Sequence, residues 1–174
     1  MEKKIFRSII YGVIFCLFSL LGLYCFEKIN KKNLIKKNIL SFQNFCAFSI
    51  NNNQNFCTKS LPKQPIIILF IHPECDFCIE EIKQLKESQV KFKNTSILLI
   101  TSASLKQVID FYSEQNLAQL NNVQLLLDKE LKISNSFGIN IIPSVFVYNT
   151  DKELIFSHKN EIKIETLIRY LSEK

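Results

Sequence analysis

Apolar residues occur along the chain in two kinds of run. Ser8–Phe26 (SIIYGVIFCLFSLLGLYCF) is nineteen residues without a charge. Ile66–His72 (IIILFIH) and Ser96–Thr101 (SILLIT) are much shorter and show no helical period. At 1.5 Å per residue, a helix over the first run is ~28 Å long, close to the hydrocarbon thickness of a bilayer. The short runs suit strands buried on both faces.

Helical stripes separate the strand candidates. Phe77, Cys78, Ile82 and Leu85 form one across Cys75–Gln89. Leu105, Val108, Ile109 and Tyr112 form another across Ser104–Asn116, with Ser104 as N-cap. Val123–Leu127 reads as a third strand, and Lys129–Phe137 as a short helix closed by Gly138 at C′. Ser144–Asn149 and Glu153–Ser157 alternate around Asn149-Thr150-Asp151, a hairpin pattern, before an amphipathic helix over Glu161–Leu171. Phe42–Ser60 holds two aromatic-rich runs around Asn51-Asn52-Asn53, and asparagine tolerates the positive φ of a tight turn. The order predicts an α/β sandwich with a mixed central sheet and an added N-terminal β-hairpin. One transmembrane helix precedes it: residues 1–27 as anchor, 28–41 as juxtamembrane helix or linker, 42–174 as the folded domain.

Composition excludes a disordered chain, with 47% apolar and 22% charged residues. The net charge of +6 suggests a nucleic-acid binder until it is mapped. Residues 1–37 carry eight Lys/Arg against two Glu, and the remainder carries fourteen of each sign. The folded part therefore has no net attraction for phosphate, and nucleic acid is excluded as a partner. The lysines from Lys28 to Lys37 outnumber the basic residues before the apolar run, which taken alone places the C-terminal domain in the cytoplasm. Tyr24-Cys25-Phe26-Glu27 offers no small-residue cleavage site, so the run reads as an uncleaved anchor.

Cys75-Asp76-Phe77-Cys78 carries the chemistry. It stands where a buried strand hands over to a helix, and C-x-x-C in that setting reads as a redox dithiol. The first sulfur falls at the helix N-terminus, where free N–H groups favour a thiolate, and the second lies one turn on. A zinc centre needs two further ligands, and no second C-x-x-C or H-x-x-x-H exists, so no metal is expected. His72 reads as a strand-end residue that is either exposed or beside the Cys75 thiolate, and His158 as a surface residue. Cys16 and Cys25 read as small hydrophobes of the apolar span. Cys46 and Cys57 lie on opposite arms of the proposed first hairpin. They read as a structural disulfide, a second redox pair or two core thiols, and the sequence leaves the three open.

Residues 66–172 resemble the thioredoxin superfamily, and within it the membrane-anchored TlpA-like thiol–disulfide oxidoreductases of bacteria, which overlap in pattern with the peroxiredoxin-like group. The strand-turn-helix IIILFIHPECDFCIEE and the loop Gly138-Ile139-Asn140-Ile141-Ile142-Pro143-Ser144 carry the resemblance. It implies a thioredoxin-like sandwich, a cis peptide before Pro143, and a substrate-binding role for Ile142 and Pro143, where proline leaves the Ile142 backbone free to pair with an extended client. Two departures stand out. Glu74 occupies the place of the usual tryptophan, and Leu69 that of a buried aspartate which acts as base. TlpA-like members often carry a glutamate three residues after the second cysteine, where Glu81 stands.

The expected reaction is disulfide exchange on extracytoplasmic proteins. Cys75 attacks, Cys78 resolves, and Glu81, one helical turn from Cys78, accepts its proton. The competing reading of Glu81 is a solvated residue, unpaired or near Lys83 or Lys86, while Glu80 faces solvent. Glu74 and Asp76 flank Cys75 and oppose a thiolate, which favours a reductant over a strong oxidant. No cofactor is needed. The partners are a disulfide-containing client, an electron-donating membrane or extracytoplasmic thiol protein, and the lipid bilayer. The location is a bacterial inner membrane, single-pass, with the catalytic domain in the periplasm or otherwise outside the cytoplasm, because dithiol chemistry on an anchor serves proteins whose thiols oxidise. Two alternatives are a peroxiredoxin-like thiol peroxidase, which lacks a suitable arginine because only Arg169 follows Arg7, and a non-catalytic membrane-anchored adaptor.

Overall fold

The computed structural model describes residues 2–172, with side chains from Cys16 onward. The chain divides into two units, Met1–Lys37 and Asn38–Lys174. The first is helix: α1 runs over Glu2–Leu40, through the whole Ser8–Phe26 run. Among the described residues no helix is long and apolar enough to cross a membrane. The structure thus does not support the expected transmembrane helix. Residues 8–15 of the apolar run lie outside the residues whose side chains are described. Cys16 and Cys25 are exposed along it rather than packed.

The second unit is built on a seven-stranded sheet. In chain order the strands are β1 (Cys46–Ser49), β2 (Gln54–Cys57), β3 (Ile66–Phe70), β4 (Ser96–Thr101), β5 (Val123–Leu127), β6 (Ser144–Tyr148) and β7 (Leu154–Lys159). Their spatial order is β2-β1-β5-β4-β3-β6-β7. β3, β4 and β5 are parallel, whereas β6 and β7 on one side and β1 and β2 on the other are antiparallel. The helices are α2 (Asp76–Glu87), α3 (Leu105–Glu114), α4 (Lys132–Ser136) and α5 (Ile164–Ser172).

The central strands are buried on both faces, which explains their unbroken apolar runs. Ile67 and Leu69 of β3 enter one core with Ile82 and Leu85 of α2, Val108 and Phe111 of α3 and Leu167 of α5. Ile66, Ile68 and Phe70 enter the other, with Ile133 and Phe137 around α4 and with Phe42. Each such side chain contributes roughly 1.5–3 kcal/mol by leaving water. The added hairpin joins this sheet through Asn51, whose Nδ2 donates to Val123 O and whose Oδ1 accepts from Leu125 N, both at 2.8 Å.

Element boundaries depart from the sequence pattern where tertiary contacts claim the backbone. α4 begins at Lys132 rather than Lys129, because Leu131 turns at φ 56° and Asp128 accepts from the Ile133 and Ser134 N–H groups. Gly138 closes it at φ 63°, as its position implied. α5 begins at Ile164 rather than Glu161, since the Ile162 N–H is bound to a side chain of α2.

Candidate active site

The C-terminal end of β3 delivers the C-x-x-C to the N-terminus of α2. Cys75 is the N-cap residue, and its Sγ accepts the backbone N–H of Cys78 at 3.3 Å. The cap is thus made by the sulfur itself, and the amide dipoles of the first turn converge on it. The turn before it is closed by Cys75 N–H donating to His72 O at 3.0 Å. Both thiols are free; Cys75 is half-buried and Cys78 is fully buried. Burial pushes the Cys78 thiol well above its ordinary range, and its hydrogen bond with Cys75 adds to this, while a backbone hydrogen bond from His72 opposes it. The outer sulfur is accessible and the inner one is held as a neutral thiol, the asymmetry that an attacking and a resolving cysteine require.

Behind Cys78 lies Glu81, 2% exposed. The reading of Glu81 as a solvated residue is overturned, because the stripe that buries Cys78, Ile82 and Leu85 also carries Glu81 inward. Lys86 does not pair with it and instead donates to Gln115 O. Glu81 Oε1 accepts the Ile162 N–H at 2.8 Å, and Oε2 is buried without a hydrogen-bond partner. Burial pushes its carboxyl up to about 7; Glu161 adds to the rise and the Ile162 N–H opposes it. Its negative charge in turn raises the Cys78 thiol. Glu80 is exposed, as expected, and its Oε1 accepts from Gln84 Nε2. Leu69 is buried in β3, so the position of the usual aspartate is apolar here, and Glu81 is a buried acid on the neighbouring helix α2.

Pairing of Phe70 with Ser144 puts the loop before β6 at the same end of the sheet as Cys75. The Ile142–Pro143 bond is cis and Pro143 is buried, while Ile141 and Ile142 are exposed. Ser144 Oγ donates to Ile141 O at 2.7 Å, and Asn160 N–H donates to Pro143 O at 2.9 Å. Among the described residues, nothing pairs with the Ile142 backbone.

Cys46 and Cys57 stand opposite each other in the β1–β2 register and form a disulfide, with Cα atoms 4.1 Å apart. The bond rules out the reading of two core thiols and is common to the other two, a structural disulfide and a second redox pair. His72 is half-buried and its Nδ1 accepts the Glu74 N–H at 3.2 Å, so it braces the loop. His158 is exposed and stacks on Phe156. Sequence reasoning missed the Ile162 N–H and a link from Gln107 to Glu74 at 2.7 Å. Neither is visible as a motif, since each joins segments far apart in the chain.

Residues 41–157 match the AhpC/TSA family model. The chain belongs to the AhpC/TSA family. No curated protein matches its sequence. This AhpC/TSA chain is similar in structure to a secreted Mycobacterium tuberculosis disulfide oxidoreductase homologous to E. coli DsbE, with TM-score 0.64 and 21% identity over 75% of this chain and 96% of that one. It is also similar to StoA from Bacillus subtilis, with TM-score 0.59 and 19% identity over 74% and 96% of the two chains. A third likeness is to the peroxidoxin BcpB from Mycobacterium tuberculosis, with TM-score 0.64 and 14% identity over 75% and 93%. At these identities the likenesses establish the thioredoxin fold. The family and the fold together place this AhpC/TSA chain among redox proteins of the TlpA- and peroxiredoxin-like kind.

Proposed function

We propose that the protein is a thiol–disulfide oxidoreductase that reduces disulfides of extracytoplasmic proteins. The carrying observation is the graded burial of three groups on one helix: Cys75 accessible at the cap, Cys78 without exposure, and Glu81 buried behind it with an unpartnered oxygen. The Cys75 thiolate attacks a client disulfide, forming a mixed disulfide and releasing one client thiolate. Cys78 gives its proton to Glu81 and attacks Cys75 Sγ, so the Cys75–Cys78 bond forms and the second client thiolate leaves. Two electrons pass to the client, and a partner dithiol restores the pair. A carboxyl with its titration near 7 is matched to that proton transfer at neutral pH. The client chain lies along Ile142, whose unpaired backbone supplies strand-like hydrogen bonds, with Pro143 closing the loop beneath it.

The extracytoplasmic setting is supported by the Cys46–Cys57 disulfide, a bond that persists in oxidising compartments. In this reading residues 8–26 anchor the chain in a bacterial inner membrane with the folded domain outside, in the periplasm, and the juxtamembrane lysines belong to the connecting helix. Reduction of insulin disulfides by the dithiol, and mixed disulfides trapped in cells by Cys78→Ser, test the function. Absence of both removes it.

Membership of the AhpC/TSA family favours a second reading, a thiol peroxidase. Its chemistry calls for a cation beside the attacking sulfur, and the one arginine of the folded unit, Arg169, lies in the last turn of α5 over the Tyr170 ring. Consumption of peroxide without disulfide reduction would establish it.

A further inference from the structure

The loop in front of the attacking sulfur is tied to a second helix by a side chain that the exchange reaction does not use. Gln107 Nε2 donates to Glu74 Oε1 at 2.7 Å, across 33 residues of sequence. The other end of the same amide is committed. Gln107 Oε1 accepts from the Ser104 N–H at 3.1 Å and from the Ser104 hydroxyl at 2.6 Å, and Ser104 Oγ accepts the Gln107 N–H at 3.4 Å. This is the capping box of α3. With its oxygen held by the cap, the amide presents its NH₂ as a fixed donor, and Glu74 takes it.

We propose that Gln107 is a positioning residue for disulfide exchange, holding the Glu74 carboxylate against α3 so that its charge does not turn onto the sulfur of Cys75. The proposal rests on the exchange reading above. Glu74 is exposed and directly precedes Cys75, so its side chain has both the freedom and the reach to approach the sulfur. A carboxylate about 4–5 Å from a thiolate disfavours that thiolate roughly threefold to fivefold even in water. The loop backbone is fixed separately, by Glu74 N–H on His72 Nδ1 and Cys75 N–H on His72 O. The Gln107 contact therefore acts on the carboxylate rather than on the course of the chain.

Alkylation of Cys75 by iodoacetamide in the reduced full-length chain, read peptide by peptide at pH 7, tests this. Gln107→Glu keeps the capping acceptor but removes the donor. It slows alkylation of Cys75 about threefold to fivefold at low salt, and near 1 M salt the slowing disappears. Adding Glu74→Gln to that variant restores the native rate, and Glu74→Gln alone changes it less than twofold. Gln107→Leu, which removes donor and acceptor together, gives the same slowing and the same rescue. An unchanged rate in both Gln107 variants, a slowing that salt leaves intact, or one that Glu74→Gln does not reverse would overturn the proposal. Failure of the native chain to reduce insulin, with the alkylation pattern intact, removes the exchange reading and leaves the Gln107–Glu74 placement standing.

Discussion

The backbone N–H of Ile162 reaches across 81 residues to the buried carboxylate of Glu81 at 2.8 Å, and it is the only hydrogen bond that carboxylate makes among the described residues. One oxygen is anchored to the segment that leads into α5, and the other is buried without a hydrogen-bond partner on the helix that also carries Cys78. A base for Cys78 needs such an arrangement, fixed in place yet with a free lone pair.

Glu81→Gln keeps the shape and the Ile162 bond but cannot accept a proton. Release of the mixed disulfide slows by about 10²-fold, while Glu80→Gln, on the solvent side, has little effect. Stopped-flow measurement of client release after mixing with a labelled disulfide peptide reads both. Equal, small effects rule the base role out.

Burial of Glu81 also makes stability depend on pH. Its carboxyl titrates near 4.5 when unfolded and at about 7 when folded. The folded state therefore holds the proton more tightly. The stabilisation this gives is complete below about 4.5 and is lost as pH rises through 7, a change of about 3 kcal/mol. Urea unfolding of the reduced protein at pH 5 and pH 8, compared with Glu81→Gln, isolates this contribution, because the variant lacks it.

Alkylation distinguishes the two active-site sulfurs. Cys75 is labelled first at neutral pH, and Cys78, with no exposure and a thiol raised by burial, is labelled only on unfolding. Peptide mapping after brief iodoacetamide treatment checks the order. Preferential labelling of Cys78 reverses the assigned roles.

The hairpin disulfide closes a separation of 11 residues. Cys46→Ser with Cys57→Ser lowers the stability of the domain by about 2–3 kcal/mol through the freed denatured chain, and leaves exchange at Cys75 and Cys78 in place. Denaturant midpoints with parallel insulin assays measure the two effects. Loss of exchange activity in a folded variant assigns the pair a redox role of its own.

Topology is tested in cells. A reporter fused after Lys174 that functions only outside the cytoplasm is active if residues 8–26 anchor the chain with its folded domain outside. Activity of a cytoplasm-only reporter there, with the outside one silent, reverses the orientation.

Much of this architecture is local in origin. The period of the apolar residues alone marks β3, β4, β5, α2 and α3, because strands buried on two faces and helices buried on one leave different patterns in the chain. Ser104 and Gly138 punctuate helices through their own backbone preferences. Cys75 and Cys78 were legible as a pair because their spacing is one helical turn. The substrate-binding role proposed for Ile142 and Pro143 came from resemblance rather than from periodicity.

The tertiary structure decided whatever depends on residues distant in the chain. Whether Glu81 faces solvent or core is ambiguous at its position on the stripe, and packing of α2 against the sheet and α5 turned it inward, where burial raised its carboxyl. The start of α5 moved to Ile164 for the same contact. Cys46 and Cys57 became a disulfide because the hairpin register set them opposite each other, which no spacing rule fixes. Gln107 reads in sequence as a helix cap and nothing more. Its second bond, to Glu74, exists only because α3 packs beside the loop that ends β3. Sequence fixes preferences over a few residues through backbone and solvation energies. Charges and donors that meet across 30 to 80 residues are set by how the elements pack.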